Sequence, residues 1–247
     1  MIDNNNEEKI IFGKNPVLEA LKAAETIDTI YISSTCGGLS SIYALAKENG
    51  IVIKNVTDRK LEQLSGGNVH QGVVAVGSFA HYVSLEDILD VSAKKGTPPF
   101  IIICDEIEDP HNLGAIIRTA EAAGADGVII PKRRSAAVNF TVHKTSAGAA
   151  SWLPVAKVPN LAAAIDTLKE NGVWIYGTDA DGESYANTDL KGSMALVIGS
   201  EGFGMGRLIR EKCDFLLKLP MLGKITSLNA SVAAGIFMYE VVRQRNV

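Results

Sequence analysis

Residues 100–130, FIIICDEIEDPHNLGAIIRTAEAAGADGVII, leave the chain little choice of architecture. A continuous apolar run leads into a polar loop. Next comes a segment whose apolar positions Ile116, Ile117, Ala120 and Ala123 mark one side of a helix, and Gly124 precedes a second apolar run. Strand, helix and strand in that order make a βαβ unit, whose two strands are parallel because the crossover helix returns the chain to the same end of the sheet. VWIYGTD and MALVIGSEG add two more apolar runs. Being continuous rather than alternating, they read as parallel strands buried on both faces, ending in glycine- or acid-rich loops.

Upstream, the pattern repeats on a smaller scale. TIYIS and IVIKNV read as strands, GLSSIYALAKENG between them as a helix ending at Gly50, and GVVAVGSF as a closing strand. HYVSLEDILDVSAKKGTPP follows, a short helical segment ending in Lys-Lys-Gly and two prolines, which is the composition of a joint. The predicted organisation is an α/β chain with a small domain over 1–80, a linker over 81–96 and a larger domain over 97–247.

Composition removes several function classes. No apolar run approaches the ~20 residues that cross a bilayer. The opening MIDNNNEEKI is polar and acidic, unlike a signal or transit peptide. Cys36, Cys104 and Cys213 are far apart and lack metal-type spacing, so reduced, buried thiols in a cytoplasmic protein are expected. A formal net charge of −4 disfavours indiscriminate nucleic-acid binding while leaving room for a local basic patch.

Ligands of open α/β sheets sit beyond the carboxyl ends of the strands, which singles out the predicted loops 105–114, 178–184, 199–206 and 219–229. GSEGFGMG (199–206) follows a strand, but its spacing fits neither the dinucleotide nor the P-loop fingerprint. It offers close backbone approach to something flat or anionic, or simply a tight turn. Glu201 within it is a base, an ion-pair partner or a solvated carboxylate. DEIEDPHNLG is rich in carboxylates of the kind usually solvated, and no metal is expected. Asn112 stands just before an amphipathic helix and is expected to cap it. Arg118 reads as lying close beside that helix's core stripe, where it needs a carboxylate or an anionic ligand. His70, His81, His111 and His143 show no ligand spacing. PKRR (131–134) and HKTSAG (143–148) form the concentrated basic stretch, either a phosphate-contacting rim or an exposed loop. SLNASVAAG (227–235) sets Ser227 and Asn229 at the start of a small-residue helix, as caps or as the floor of a site.

Together, DPHNLGAIIRTAEAAGADGVII, VIGSEGFGM and LPMLGKITSLNASVAAGIFMYE resemble, in order and separation, the three motifs of the SpoU/TrmH family of RNA ribose 2′-O-methyltransferases, over about 100–245. IFGKNPVLEAL and HQGVVAV resemble the N-terminal RNA-binding module, similar to a ribosomal protein, of the subgroup that modifies a guanosine of 23S rRNA. The resemblance implies a trefoil-knotted methyltransferase domain and a homodimer formed through it. It also implies S-adenosylmethionine bent among the knot loops, an RNA substrate and no membrane. Asn112, Arg118, Glu201, Ser227 and Asn229 match the family's functional polar residues. Gly199, Leu219 and Leu228 fall where backbone groups hold the adenosyl moiety, and Thr178, Ser200 and Gly202 complete the expected cofactor set. His111, Lys224 and Ile225 stand at positions the family varies.

On that reading Arg118 stays protonated, holds a phosphate and stabilises developing alkoxide, while Glu201 fixes a partner, with Arg118 itself a candidate. The alternatives are a tRNA ribose as target, a non-catalytic RNA-binding assembly factor, and a metabolic enzyme that takes NAD or ATP.

Overall fold

The computed structural model describes residues 10–23, 27–77 and 82–246. They fall into two compact units, one up to His81 and one from Tyr82 onward. The end of the predicted strand GVVAVGSF (78 and 79) and His81 lie outside the described residues.

The first unit runs β1 (Ile10–Phe12), α1 (Lys14–Lys22), β2 (Ile27–Ser33), α2 (Ser40–Glu48), β3 (Val52–Val56), α3 (Asp58–Leu64) and β4 (Val73–Gly77). Among the described residues its sheet has the order β1-β4-β2-β3. β4 is antiparallel to both neighbours and β2–β3 is parallel, with α2 as the crossover. Val17 and Leu21 of α1 and Ile42 and Ala46 of α2 bury against Ile30, Ile32, Val73 and Ala75, so one face of a small sheet supplies the core.

The second unit runs β5 (Tyr82–Val83), α4 (Leu85–Lys95), β6 (Phe100–Cys104), α5 (Pro110–Ala122), β7 (Gly127–Pro131), α6 (Phe140–Thr145), β8 (Val155–Val158), α7 (Leu161–Glu170), β9 (Trp174–Ser184), β10 (Met194–Ile198), α8 (Arg207–Lys212), β11 (Phe215–Lys218) and α9 (Ala230–Arg245). Its strands form a seven-stranded sheet in the order β11-β9-β10-β6-β7-β8-β5 among the described residues. Every adjacent pair is parallel. Ile101, Ile103, Ile129, Ala195 and Val197 face a core layer that includes Ile88 of α4, Ile165 and Leu168 of α7 and Ile209 of α8. The alternate residues Ile102, Val128, Ile130 and Leu196 are fully buried too, which is why these runs show no polar alternation. α5 packs against α6 and α9.

Strand order reverses at the centre. The chain proceeds outward from β6 to β7 and β8, and β10 later returns to pair with the other side of β6. Connections leaving β6 and β10 must therefore diverge, and a crevice opens between them at the strands' carboxyl ends.

Three expectations need correcting. Residues 82–95, expected within a linker, are built into the second unit: β5 pairs with β8, and Leu85 and Ile88 enter its core. The Lys-Lys-Gly that reads as a joint is a helix end, with Lys94 and Lys95 in the last turn and Gly96 as a left-handed cap at φ 67°. Residues 178–184 are the second half of β9 rather than a loop. Gly182 lets that strand lie close to β11, where a Cβ would sit 2.5 Å from the Leu216 carbonyl carbon. Of the three expected buried thiols, Cys104 is buried, whereas Cys36 and Cys213 are only partly so.

Candidate active site

The two diverging connections at the centre of the sheet are tied to each other and to the start of α9. Asp109 caps α5 by accepting from the His111 N–H at 3.0 Å, with Pro110 in the first turn. Asn112, expected as the cap, is instead an inward-facing residue of that first turn, and its side-chain amide is free for other work. It donates to Glu201 at 2.9 Å. Asn229 caps α9: its Oδ1 accepts from the Ser231 and Val232 N–H groups at 3.0 and 3.2 Å. The other end of the same amide donates to Asn112 Oδ1 at 2.9 Å and also to Glu201. One Asn therefore starts the helix and joins the site. For Asn229, capping and membership of the polar cluster hold at once; Ser227 does not cap the helix.

Loop 199–206, which carries Glu201, has a shape set by its glycines. Ser200 and Gly204 exchange backbone hydrogen bonds, both 2.9 Å, and the Ser200 hydroxyl also donates to Gly204 O. Gly199 lies directly beneath that turn: a Cβ there would meet the Gly204 carbonyl carbon at 2.3 Å. The glycine is a steric requirement of the turn.

Around the loop lies a cavity of about 820 Å³. Thr178, Gly199, Ser200, Glu201, Gly202, Leu219, Ser227 and Leu228, all expected at the site, line it. The Thr178 hydroxyl is already engaged, donating to Val197 O at 3.1 Å and so tying β9 to β10. Ser227 is exposed in the segment 219–229, outside the helix it was expected to help start. Asn112 and Asn229 are hydrogen-bonded to Glu201 but are not among the lining residues.

Arg118 is not brought to the cavity. It is exposed on α5, with no ion pair to any described residue and no contact to Glu201, whose bonds go to Asn112 and Asn229. Helical geometry gives the reason. Leu113, Ile116, Ile117 and Ala120 form the buried stripe, and 118 lies a further 100° round from 117, turned away from it.

Three polar residues that line or support the cavity were not singled out from the sequence. Asp179 and Arg210 line it and pair at 2.7 Å. Burial would raise the Asp179 carboxyl, but the Arg210 guanidinium and the Asp181 N–H outweigh it and hold the group below the ordinary carboxylate value. For Asp179 the signal was its place as the acid that ends the run VWIYGTD. Asp105, buried at the end of β6, accepts from the Gly206 N–H at 2.7 Å. Nearby, Arg134 of the basic stretch reaches back to Glu106 at 2.9 Å. Among the described residues no cluster of three or more His, Cys, Asp or Glu side chains suits a metal ion.

A parallel α/β sheet with a polar cluster and cavity at its central switch point defines a class of ligand-binding enzyme folds. Comparison with known proteins makes the assignment specific. Residues 99–239 match the SpoU rRNA methylase family, and residues 10–83 match the module described as RNA 2′-O ribose methyltransferase substrate binding. The chain belongs to the SpoU/TrmH family. It is 49% identical over 245 residues, 98% of each chain, to YacO of Bacillus subtilis strain 168, which is assigned to the TrmH family of tRNA/rRNA methyltransferases. Among solved structures it resembles the SpoU methyltransferase AviRb of Streptomyces viridochromogenes in complex with AdoMet, with a TM-score of 0.62 and 26% identity over 97% of this chain and 91% of that one. An AdoMet-bound rRNA methyltransferase from Sinorhizobium meliloti gives a TM-score of 0.60 at 26% identity, over 95% of this chain and 86% of that one. No helix among the described residues is long and apolar enough to cross a membrane.

Proposed function

We propose that this protein transfers the methyl group of S-adenosylmethionine to a ribose 2′-hydroxyl of RNA, on a guanosine of 23S rRNA. The observation that carries the reading is the joining of Glu201, Asn112 and Asn229, from three separate segments, beside a cavity built on a loop where Gly199 leaves no room for a side chain. The close backbone approach that Gly199 permits suits a flat adenosyl group, and the volume suffices for the whole cofactor. Gly199, Leu219 and Leu228 would hold it through backbone groups, with Thr178, Ser200 and Gly202 around them.

S-adenosylmethionine, when bound, supplies an already activated methyl group. The chain's own part is placement and charge. Asn112 and Asn229 hold Glu201 by their amide donors and so fix the tip of the glycine loop. Ser227, on the cavity wall, is available to orient the ribose. The role proposed for Arg118 is that of a cation: it holds an RNA phosphate and stabilises charge growing on the attacking oxygen.

We also read the molecule as a cytoplasmic homodimer whose C-terminal segment forms a trefoil knot. In support of the dimer, Val232, Ile236 and Tyr239, spaced four and three residues apart on α9, are 51%, 39% and 53% exposed and form one apolar stripe. Arg118 lies exposed on α5, the helix that packs on α9, so its working partners are supplied from outside this chain.

The test is transfer of labelled methyl to unmodified large-subunit rRNA and, in parallel, to bulk tRNA. The reading expects labelling of rRNA, a 2′-O-methylated guanosine on mapping, and near-complete loss in Arg118→Ala with cofactor affinity little changed. Labelling of tRNA alone would replace the substrate. Near-full turnover by Arg118→Ala would remove that residue from the site, and failure to bind S-adenosylmethionine would overturn the reading.

A further inference from the structure

The stretch from the end of β6 into the first turn of α5 grips loop 199–206 twice. At its far end Asn112 holds Glu201, near the tip of the loop. At its near end Asp105 holds the outgoing strand of the loop, through the Gly206 N–H at 2.7 Å. Between these grips the loop closes on itself through the Ser200–Gly204 pair. Its position over the cavity thus depends on two carboxylates, one near the tip and one beneath the base.

The lower carboxylate stands in an unfavourable place. Asp105 is 5% exposed, next to the fully buried Cys104. Burial pushes its carboxyl up, the Gly206 N–H opposes this, and the neighbouring Glu106 adds to the rise. Among the described residues no Lys, Arg or His pairs with it. Glu106, the next residue, is held at φ 56°, a conformation that non-glycine residues rarely adopt. An Asn would offer the same acceptor to Gly206 without a charge to desolvate. A buried carboxyl with no cationic partner among the described residues, beside a strained residue, is an arrangement that stability alone does not select.

We propose that Asp105 is a positioning residue for cofactor binding, whose carboxylate holds the base of loop 199–206 in the shape that receives the adenosyl group. This rests on the reading of the cavity as the S-adenosylmethionine site. A charged acceptor makes a shorter and stronger bond to an N–H than a neutral one does. Neutralising it frees the loop to drift, and binding must then supply the lost order.

The experiment measures calorimetric affinity for S-adenosylmethionine and S-adenosylhomocysteine, together with thermal unfolding, on the full chain. The variants are Asp105→Asn, Asp105→Ala and Glu106→Gln. Asp105→Asn binds both nucleosides about tenfold more weakly, the scale of losing a charge-assisted hydrogen bond, while its melting temperature equals or exceeds that of the parent. Asp105→Ala, which leaves the Gly206 N–H without an acceptor, binds more weakly still. Glu106→Gln changes affinity little, since that carboxylate turns outward to Arg134. Undiminished affinity in both Asp105 variants overturns the proposal. So does an affinity loss in Asp105→Asn that merely tracks a fall in melting temperature, because the role is then structural. If the parent binds neither nucleoside, the cofactor reading itself fails and takes this proposal with it.

Discussion

Replacing Gly199 with Ala adds one methyl group at the most crowded point of the site. An ideal Cβ at 199 would lie 2.3 Å from the Gly204 carbonyl carbon, 2.4 Å from the Met205 nitrogen and 2.6 Å from the Gly204 oxygen. All three are backbone atoms, so no rotamer change relieves the contact. Reaching an ordinary 3.4 Å separation from the nearest atom requires 3.4 − 2.3, or 1.1 Å, of backbone displacement. The displaced segment is held by the reciprocal Ser200–Gly204 bonds at 2.9 Å and by the Gly206–Asp105 bond at 2.7 Å. A shift of that size carries at least one of them outside the useful range. Overpacking costs about 1–3 kcal/mol and one lost hydrogen bond about 1 kcal/mol. The sum, about 2–4 kcal/mol, corresponds to a melting temperature lower by about 4–16 °C for a domain of this size. Gly202, three positions along, is the internal control for stability, since a Cβ there meets nothing within 4 Å. Gly202→Ala should stay within about 0.5 kcal/mol of the parent. Calorimetric titration with S-adenosylmethionine and a thermal melt on both variants decide the matter. Gly199→Ala should lose at least about tenfold in affinity, as expected when a binding loop moves by about 1 Å. Equal stability in the two variants, with Gly199→Ala keeping the parent's affinity, would refute the steric argument.

Asn229→Ser separates the two jobs of that residue. Serine caps about as well as asparagine, so stability should stay within about 1 kcal/mol, while methyl transfer falls at least about tenfold because Asn112 and Glu201 lose their shared donor. Retained turnover would leave Asn229 as a cap alone. Arg245→Ala should destabilise the second unit by about 2–4 kcal/mol in chemical denaturation. Its guanidinium donates to the carbonyls of Pro98, Pro99 and Gly192 and lies 5.3 Å from the centre of the Phe100 ring. A change below about 0.5 kcal/mol would remove it as an anchor of α9. Burial pushes the Cys104 and Cys213 thiols up to about 12. Both are therefore neutral at pH 8, since a thiol with so high a pKa forms thiolate only at much higher pH. A thiol reagent at pH 8 should modify Cys36 first in the native protein and all three cysteines only on unfolding. Rapid native modification of Cys104 would contradict its burial.

Within one segment, the chain's periodicity was sufficient. Apolar runs at 100–104, 127–131 and 194–198, separated by a stripe at 113, 116, 117 and 120, require parallel strands and a covering helix, because no other packing hides those side chains. Glycine spacing in 199–206 likewise marked a place of close backbone approach, and the motif order pointed to the family. Local pattern was silent or misleading wherever the decisive partner is distant in the chain. Lys94, Lys95 and Gly96 terminate a helix whether it is a linker or a core element. It is the burial of Leu85 and Ile88 against the sheet that makes α4 part of the second unit. Asn112 and Asn229 are 117 positions apart, and the single hydrogen bond that joins them exists because strand order reverses between β6 and β10. Asp105 reads as one acid among several until the loop after β10 passes above it. Residue chemistry was thus written in the sequence, while its pairing was settled by the crossing of the chain at the sheet's centre. A hydrogen bond requires about 3 Å of proximity, and sequence separation carries no information about that.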